Sequence, residues 1–142
     1  MASAGRGVLR RGFLATPDVV REGRLIVESQ ALQWGLAEET VQAAVLITSE
    51  LLTNAVEATP GSPVALRMGL VGNGLQVEVW DSSPERPRRS SPDLEGPLSG
   101  AADPGGWGLG IVDALSEAHG VRDEAEGKSV WAVVKALRGD RR

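Results

Sequence analysis

From Ile47 to Glu57 the chain reads Ile-Thr-Ser-Glu-Leu-Leu-Thr-Asn-Ala-Val-Glu, and polar residues break into what is otherwise a core-forming helical pattern. Glu50 and Asn54 are four positions apart and so share one helix face, which Thr53 and Glu57 continue. An Asn carbonyl is a hard oxygen ligand of the kind Mg²⁺ accepts, and that ion usually keeps several waters and is completed by substrate phosphates. A carboxylate one turn earlier can deprotonate a nucleophile or orient a water, work worth roughly 10²–10⁴-fold in rate. The wet side of an ordinary amphipathic helix could carry the same residues. The run therefore gains chemical meaning only in company.

Two further features supply that company. Asp81 stands where the apolar run Leu75–Trp80 ends, a position from which a rigid strand aims a side chain into a cleft. An Asp closing a strand can equally be a turn residue. The segment Gly105-Gly106-Trp107-Gly108-Leu109-Gly110 runs straight into Ile111-Val112-Asp113-Ala114-Leu115. Glycines let backbone approach a ligand closely, and the first turn of a helix offers unpaired N–H groups to phosphate. Other motifs fail. Gly127-Lys128-Ser129 has Arg122 where a P-loop needs its first glycine, and a strand follows where a helix is required. The Gly106–Gly110 run places Ile111 at the third glycine of a dinucleotide fingerprint, so that reading is rejected too. His119, beside Gly120, reads as a helix C-terminal cap or an exposed residue rather than a catalyst.

These residues need elements to hold them. Val8–Leu14 reads as a short strand. Thr16-Pro17-Asp18 reads as a helix start, with Thr16 as N-cap and Pro17 in the first turn, and the helix ends at Gly35. A second helix begins near Ala37-Glu38-Glu39 and stops before Pro60-Gly61. The period then changes: Val64, Leu66, Met68 and Leu70, then Leu75, Val77 and Val79, alternate with other residues around Gly72-Asn73-Gly74, a β-hairpin with one buried face. Ser82 to Pro104 is rich in Pro, Ser, Gly and charge, a length of loop that is usually functional or mobile. A helix over about Trp107–Ala118 follows, then strands near Val121–Glu124 and Val130–Leu137 around a turn at Glu126-Gly127-Lys128. This order predicts an α+β fold, a two-layer sandwich with helices on one face of a mixed, mostly antiparallel sheet.

The 142 residues suit one domain, expected over 7–138 with flexible tails at 1–6 and 139–142. With no cysteine, a disulfide framework, a thiolate metal site and a cysteine nucleophile are all excluded, and a cytoplasmic setting is expected. Apolar stretches fall far short of the roughly 20 residues that span a bilayer. The net charge of −4 argues against direct nucleic-acid binding, and the cluster Arg86-Pro87-Arg88-Arg89 reads as a solvated loop.

Taken together, Glu50-Leu51-Leu52-Thr53-Asn54, Asp81-Ser82-Ser83-Pro84 and Gly106-Trp107-Gly108-Leu109-Gly110 occur in the order and spacing of the histidine-kinase-like (GHKL) ATPases. Within them the chain most resembles the small bacterial anti-sigma-factor serine/threonine kinases, from about Phe13 to Leu137, including the closing strand Gly127-Lys128-Ser129-Val130-Trp131. The resemblance implies the Bergerat ATP-binding fold, with ATP and Mg²⁺ as cofactors. It implies Glu50 as general base, Asn54 as Mg²⁺ ligand and Asp81 as acceptor for the adenine amino group. Gly106, Gly108, Leu109 and Gly110 would bind the nucleotide, the glycines along its phosphates, under a lid formed by Ser82–Pro104. It also implies transfer of phosphate to a Ser or Thr of a STAS-fold anti-anti-sigma protein, sequestration of a sigma factor, and a homodimer. A binding module that orders around nucleotide without turnover is the alternative. The chain departs from many relatives in carrying Ser83 where they have Gly, and in reading Glu57-Ala58-Thr59 where they often have a His.

Overall fold

The computed structural model describes residues 7–84 and 109–139. In chain order these form β1 (Val8–Leu14), α1 (Pro17–Gln33), α2 (Glu38–Ala58), β2 (Pro63–Val71), β3 (Gly74–Asp81), α3 (Leu109–Leu115), β4 (Ala118–Glu124) and β5 (Gly127–Lys135). The five strands make one sheet in the order β1-β2-β3-β5-β4, and every described pairing is antiparallel. The α+β architecture expected from the element order is the one observed.

Alternation along each strand sends one set of side chains toward the helices. Val64, Leu66 and Met68 of β2, Leu75, Val77 and Val79 of β3, and Val130, Ala132 and Val134 of β5 are buried. They join Val41, Ala44, Ile47, Leu51, Leu52 and Ala55 of α2 and Val19, Val27 and Ala31 of α1 in a single core. The helices approach closely because α1 carries Gly23, where a Cβ would overlap Leu52 Cδ1. α1 begins after Thr16, as expected, but Thr16 holds the first turn through its carbonyl, which accepts the Val19 N–H at 3.0 Å, and not through its hydroxyl. It ends with Gly35 at φ 79°, a left-handed conformation that costs glycine nothing. Thr40 then pins the start of α2 to the far end of the sheet: its hydroxyl donates to the Lys135 carbonyl and accepts from the Leu137 N–H, both at 3.0 Å.

The last third of the chain corrects three expectations. Trp107 and Gly108 lie outside the described residues, and α3 stops at Leu115, not Ala118, because the Glu117 N–H already bonds to the Val133 carbonyl of the sheet. His119, expected near a helix end, therefore sits in β4 and lies 3.1 Å from the Asp113 carboxylate of α3. Lys128, expected in the turn, is a strand residue of β5, since only Ala125 and Glu126 separate the two strands. Its side chain points inward with Val130, Ala132 and Val134.

Candidate functional site

α2 carries the acidic end of the site. Its inner face is spent on the core, and the flank that remains presents Glu50, Thr53 and Asn54 half-buried, with Glu57 exposed. Burial raises the Glu50 carboxyl above its ordinary value of 4.5, and repulsion from Glu57 adds to the rise. One turn on, Asn54 Nδ2 is shielded from solvent and has no hydrogen-bond partner among the described residues. Most buried polar groups are satisfied, so an orphaned amide asks what would complete it. Half a turn about χ2 exchanges the amide nitrogen and oxygen, so the same position can offer a carbonyl oxygen.

These residues fit a Mg²⁺-bound nucleotide. Among the described residues no group of three His, Cys, Asp or Glu could hold a metal by itself. Mg²⁺ asks for less, since one or two protein oxygens suffice when phosphates and waters complete the shell. Asn54 could supply such an oxygen, and Glu50 and Glu57 a negative field that favours a cation.

The glycine-rich segment is described only from Leu109 onward, so Gly106 and Gly108 fall outside the described residues. α3, which carries Gly110, packs against α2 and β4. Gly110 is exposed, and a Cβ there would meet nothing within 4 Å. No neighbour among the described residues requires a glycine at this position.

The opposite end of the site is closed. Asp81, last residue of β3, faces Val64 on one side and Lys128 on the other in the sheet register. Lys128 Nζ lies 2.8 Å from Asp81 Oδ1 and 3.0 Å from Oδ2, and the two side chains are each only 4% exposed. Oδ1 also accepts the Ser83 N–H at 2.9 Å, which folds the chain after the strand back over the carboxylate. Ser83 is itself buried. Gly127 permits the closeness, for at φ 152° its Cα lies so near the Asp81 backbone that a Cβ would press into the Asp81 carbonyl oxygen and come within 2.9 Å of Ser82 Cα.

The structure thus gathers Glu50 and Asn54 on one helix face and places Asp81 on the inner surface of the sheet that α2 covers. Sequence reasoning overlooked Lys128. Its signal was there: it is in phase with Val130, Ala132 and Val134, and a lysine on a buried strand face needs a carboxylate partner.

The helix-free face of the sheet is different in character. Glu78 is 4% exposed and is held by Arg67 Nη1 at 3.2 Å, Arg122 Nη2 at 2.6 Å and Gln76 Nε2 at 3.2 Å. Trp80 and Trp131 stand half-buried on the same face, with the Trp131 indole laid against Gly120.

A family model described as a histidine kinase-like ATPase domain matches residues 13–134. Among solved structures, the RsbU and RsbW domains of Rv1364c from Mycobacterium tuberculosis superpose with a TM-score of 0.67 at 18% identity, covering 94% of this chain and 34% of that one. The chain spans about a third of the length of that structure, and the likeness is one of fold. No curated protein matches the sequence significantly.

Proposed function

The chain belongs to the histidine kinase-like ATPase domain family, and on that footing we propose that it binds ATP with Mg²⁺ and transfers the γ-phosphate to a serine or threonine hydroxyl of a partner protein. The observation that carries this reading is the flank of α2: a half-buried carboxylate, Glu50, one turn from Asn54, whose amide nitrogen lacks a partner among the described residues. In this role Glu50 takes the proton of the acceptor hydroxyl as its oxygen bonds to the γ-phosphorus and the bond to the β-phosphate breaks, releasing ADP. A carboxylate whose affinity for protons has been raised is a better base near neutral pH than an ordinary one. Asn54 would hold Mg²⁺, which when bound supplies positive charge over the phosphate oxygens. Asp81 would accept the adenine amino group, and Gly110, with Gly106, Gly108 and Leu109, would leave room for the phosphates.

The setting we propose is regulatory and cytoplasmic. The structural neighbour contains an RsbW domain, and the place we propose is in sigma-factor control, with a sigma factor bound directly, a STAS-fold protein as phosphate acceptor, and a homodimer as working unit, as the resemblance of the motifs implies. In the described residues no helix is long and apolar enough to cross a membrane.

The test is calorimetry of ATP with and without Mg²⁺, on the wild type and on Asn54→Ala. Saturable Mg²⁺-dependent binding that weakens in the variant is expected. A folded wild type that binds no nucleotide would sink the reading. A second reading is a module that binds nucleotide without turnover. Glu50→Ala separates the two. Phosphate transfer disappears if the chain is a kinase, whereas a silent module loses nothing.

A further inference from the structure

The geometry points to Lys128 as a base-reading residue that donates a hydrogen bond directly to N1 of adenine while Asp81 accepts from the N6 amino group. This rests on the nucleotide-binding role proposed above and adds a specificity determinant to it.

The inference starts from what the pair leaves unused. Among the described residues Asp81 Oδ1 has two donors on it, Ser83 N–H and Lys128 Nζ. Oδ2 has one, Lys128 Nζ at 3.0 Å. An ionised carboxylate has about four acceptor positions and an ammonium three donors. The pair therefore retains acceptor capacity at Oδ2 and donor capacity at Nζ, side by side, held by an ion pair that is buried on the inner face of the sheet. Asp123, opposite Lys128 in the β4–β5 register, is the other charged residue facing this lysine across the strands; unlike Asp81 it is exposed.

An acceptor fixed beside a donor reads one base edge and refuses another. With Asp81 at the six-position, adenine offers N6–H to the carboxylate and the N1 lone pair to the ammonium, and both contacts are favourable. Guanine in the same register offers O6 to the carboxylate and N1–H to the ammonium, and both are mismatched. Buried donors and acceptors left without partners are costly, and for that reason sites built on hydrogen bonds discriminate strongly. The positive charge of Lys128 strengthens the contact to N1 relative to a neutral donor. Lys128 need not leave Asp81 to make it.

The experiment compares ATP with 1-deazaadenosine triphosphate, in which N1 is replaced by C–H, by calorimetry on the wild-type chain. Affinity for the 1-deaza analogue is expected to fall by roughly tenfold or more, the scale of a hydrogen bond to a charged group. GTP should bind weaker still. In Lys128→Met the difference between ATP and the analogue should vanish. Since that variant leaves a buried carboxylate unpaired, Asp81→Asn/Lys128→Met serves as the second background, in which no buried charge remains. Equal wild-type affinity for ATP and the 1-deaza analogue would overturn the assignment while leaving the nucleotide-binding role intact. So would a preference for GTP, or an unchanged ratio in either variant. A wild type that binds none of the three nucleotides would overturn both.

Discussion

The two ends of the site differ in how completely the protein satisfies itself. At the α2 end, Glu50 is half-buried and repelled by the Glu57 carboxylate, and Asn54 has an amide nitrogen with no partner among the described residues. At the sheet end, Asp81 is buried, ion-paired through both oxygens and further bonded by Ser83. One end stores unfavourable interactions that a ligand can relieve; the other is ion-paired and held in place before a ligand comes. Such a division suits a site in which one part orients and the other reacts. Preorganised groups lower the cost of binding, and undersatisfied ones give a cation or phosphate something to repair.

Breaking the rigid end should give the largest effect. Asp81→Ala strands the Lys128 ammonium in the interior and is expected to cost about 3–5 kcal/mol of stability, read by urea unfolding. Asp81→Leu/Lys128→Met should recover most of that loss, because a buried ion pair often does little better than apolar residues of similar volume. A double variant no more stable than Asp81→Ala would mean that the pair supports the fold in some other way. Next comes Gly127→Ala, where a side chain must enter the Asp81 backbone at a φ that favours glycine. We expect a loss of about 3 kcal/mol, with the Asp81–Lys128 geometry disturbed as well.

The α2 end should answer in the opposite sense. Asn54→Ala removes an orphaned buried donor, so its stability without ligand should stay within about 1 kcal/mol of wild type, or rise slightly, while Mg²⁺-dependent ATP binding weakens. A large loss of unliganded stability would show that Asn54 is structural and would erase the contrast between the two ends. The smallest effect belongs to Glu50→Gln. A carboxylate with a raised folded-state value is protonated in both states below 4.5, where it contributes no penalty. Above its raised folded value it is ionised in both states and burdens the native one. Glu50→Gln should therefore raise the melting temperature modestly at neutral pH, with the gain fading as pH falls toward 4.5. A gain that grows on acidification would have the wrong sign for this account.

The fold and the α2 end were legible in the sequence for the same reason: both are local. The change from helical spacing in Val41–Ala55 to alternation in Val64–Val79 declared the elements, and Glu50 and Asn54 announced themselves by interrupting the first pattern. The closed state of the sheet end was not legible, because it joins residues 47 positions apart in sequence. Asp81 was visible as a strand-end carboxylate, but its partner was hidden by a turn placed one residue too far along, which left Lys128 in solvent. The length of the last helix failed likewise, since α3 is ended by a hydrogen bond from Glu117 to β5 and not by a local stop signal. Gly127 could be read as a turn glycine, yet its requirement comes from Asp81 on another strand.

Trp80 precedes Asp81 on β3 and lies across from Ser129, the residue after Lys128, so it adjoins one half of the ion pair along its strand and the other across the ladder while projecting to the other side of the sheet. The chain contains no tyrosine. Excited beyond the absorption of its one phenylalanine, its emission is therefore tryptophan light alone, and an indole sits one peptide unit from the carboxylate proposed to read the base. Occupancy of that end can be followed in the unlabelled protein as a shift in emission, and replacing Trp80 by Phe would show how much of the signal this one ring carries.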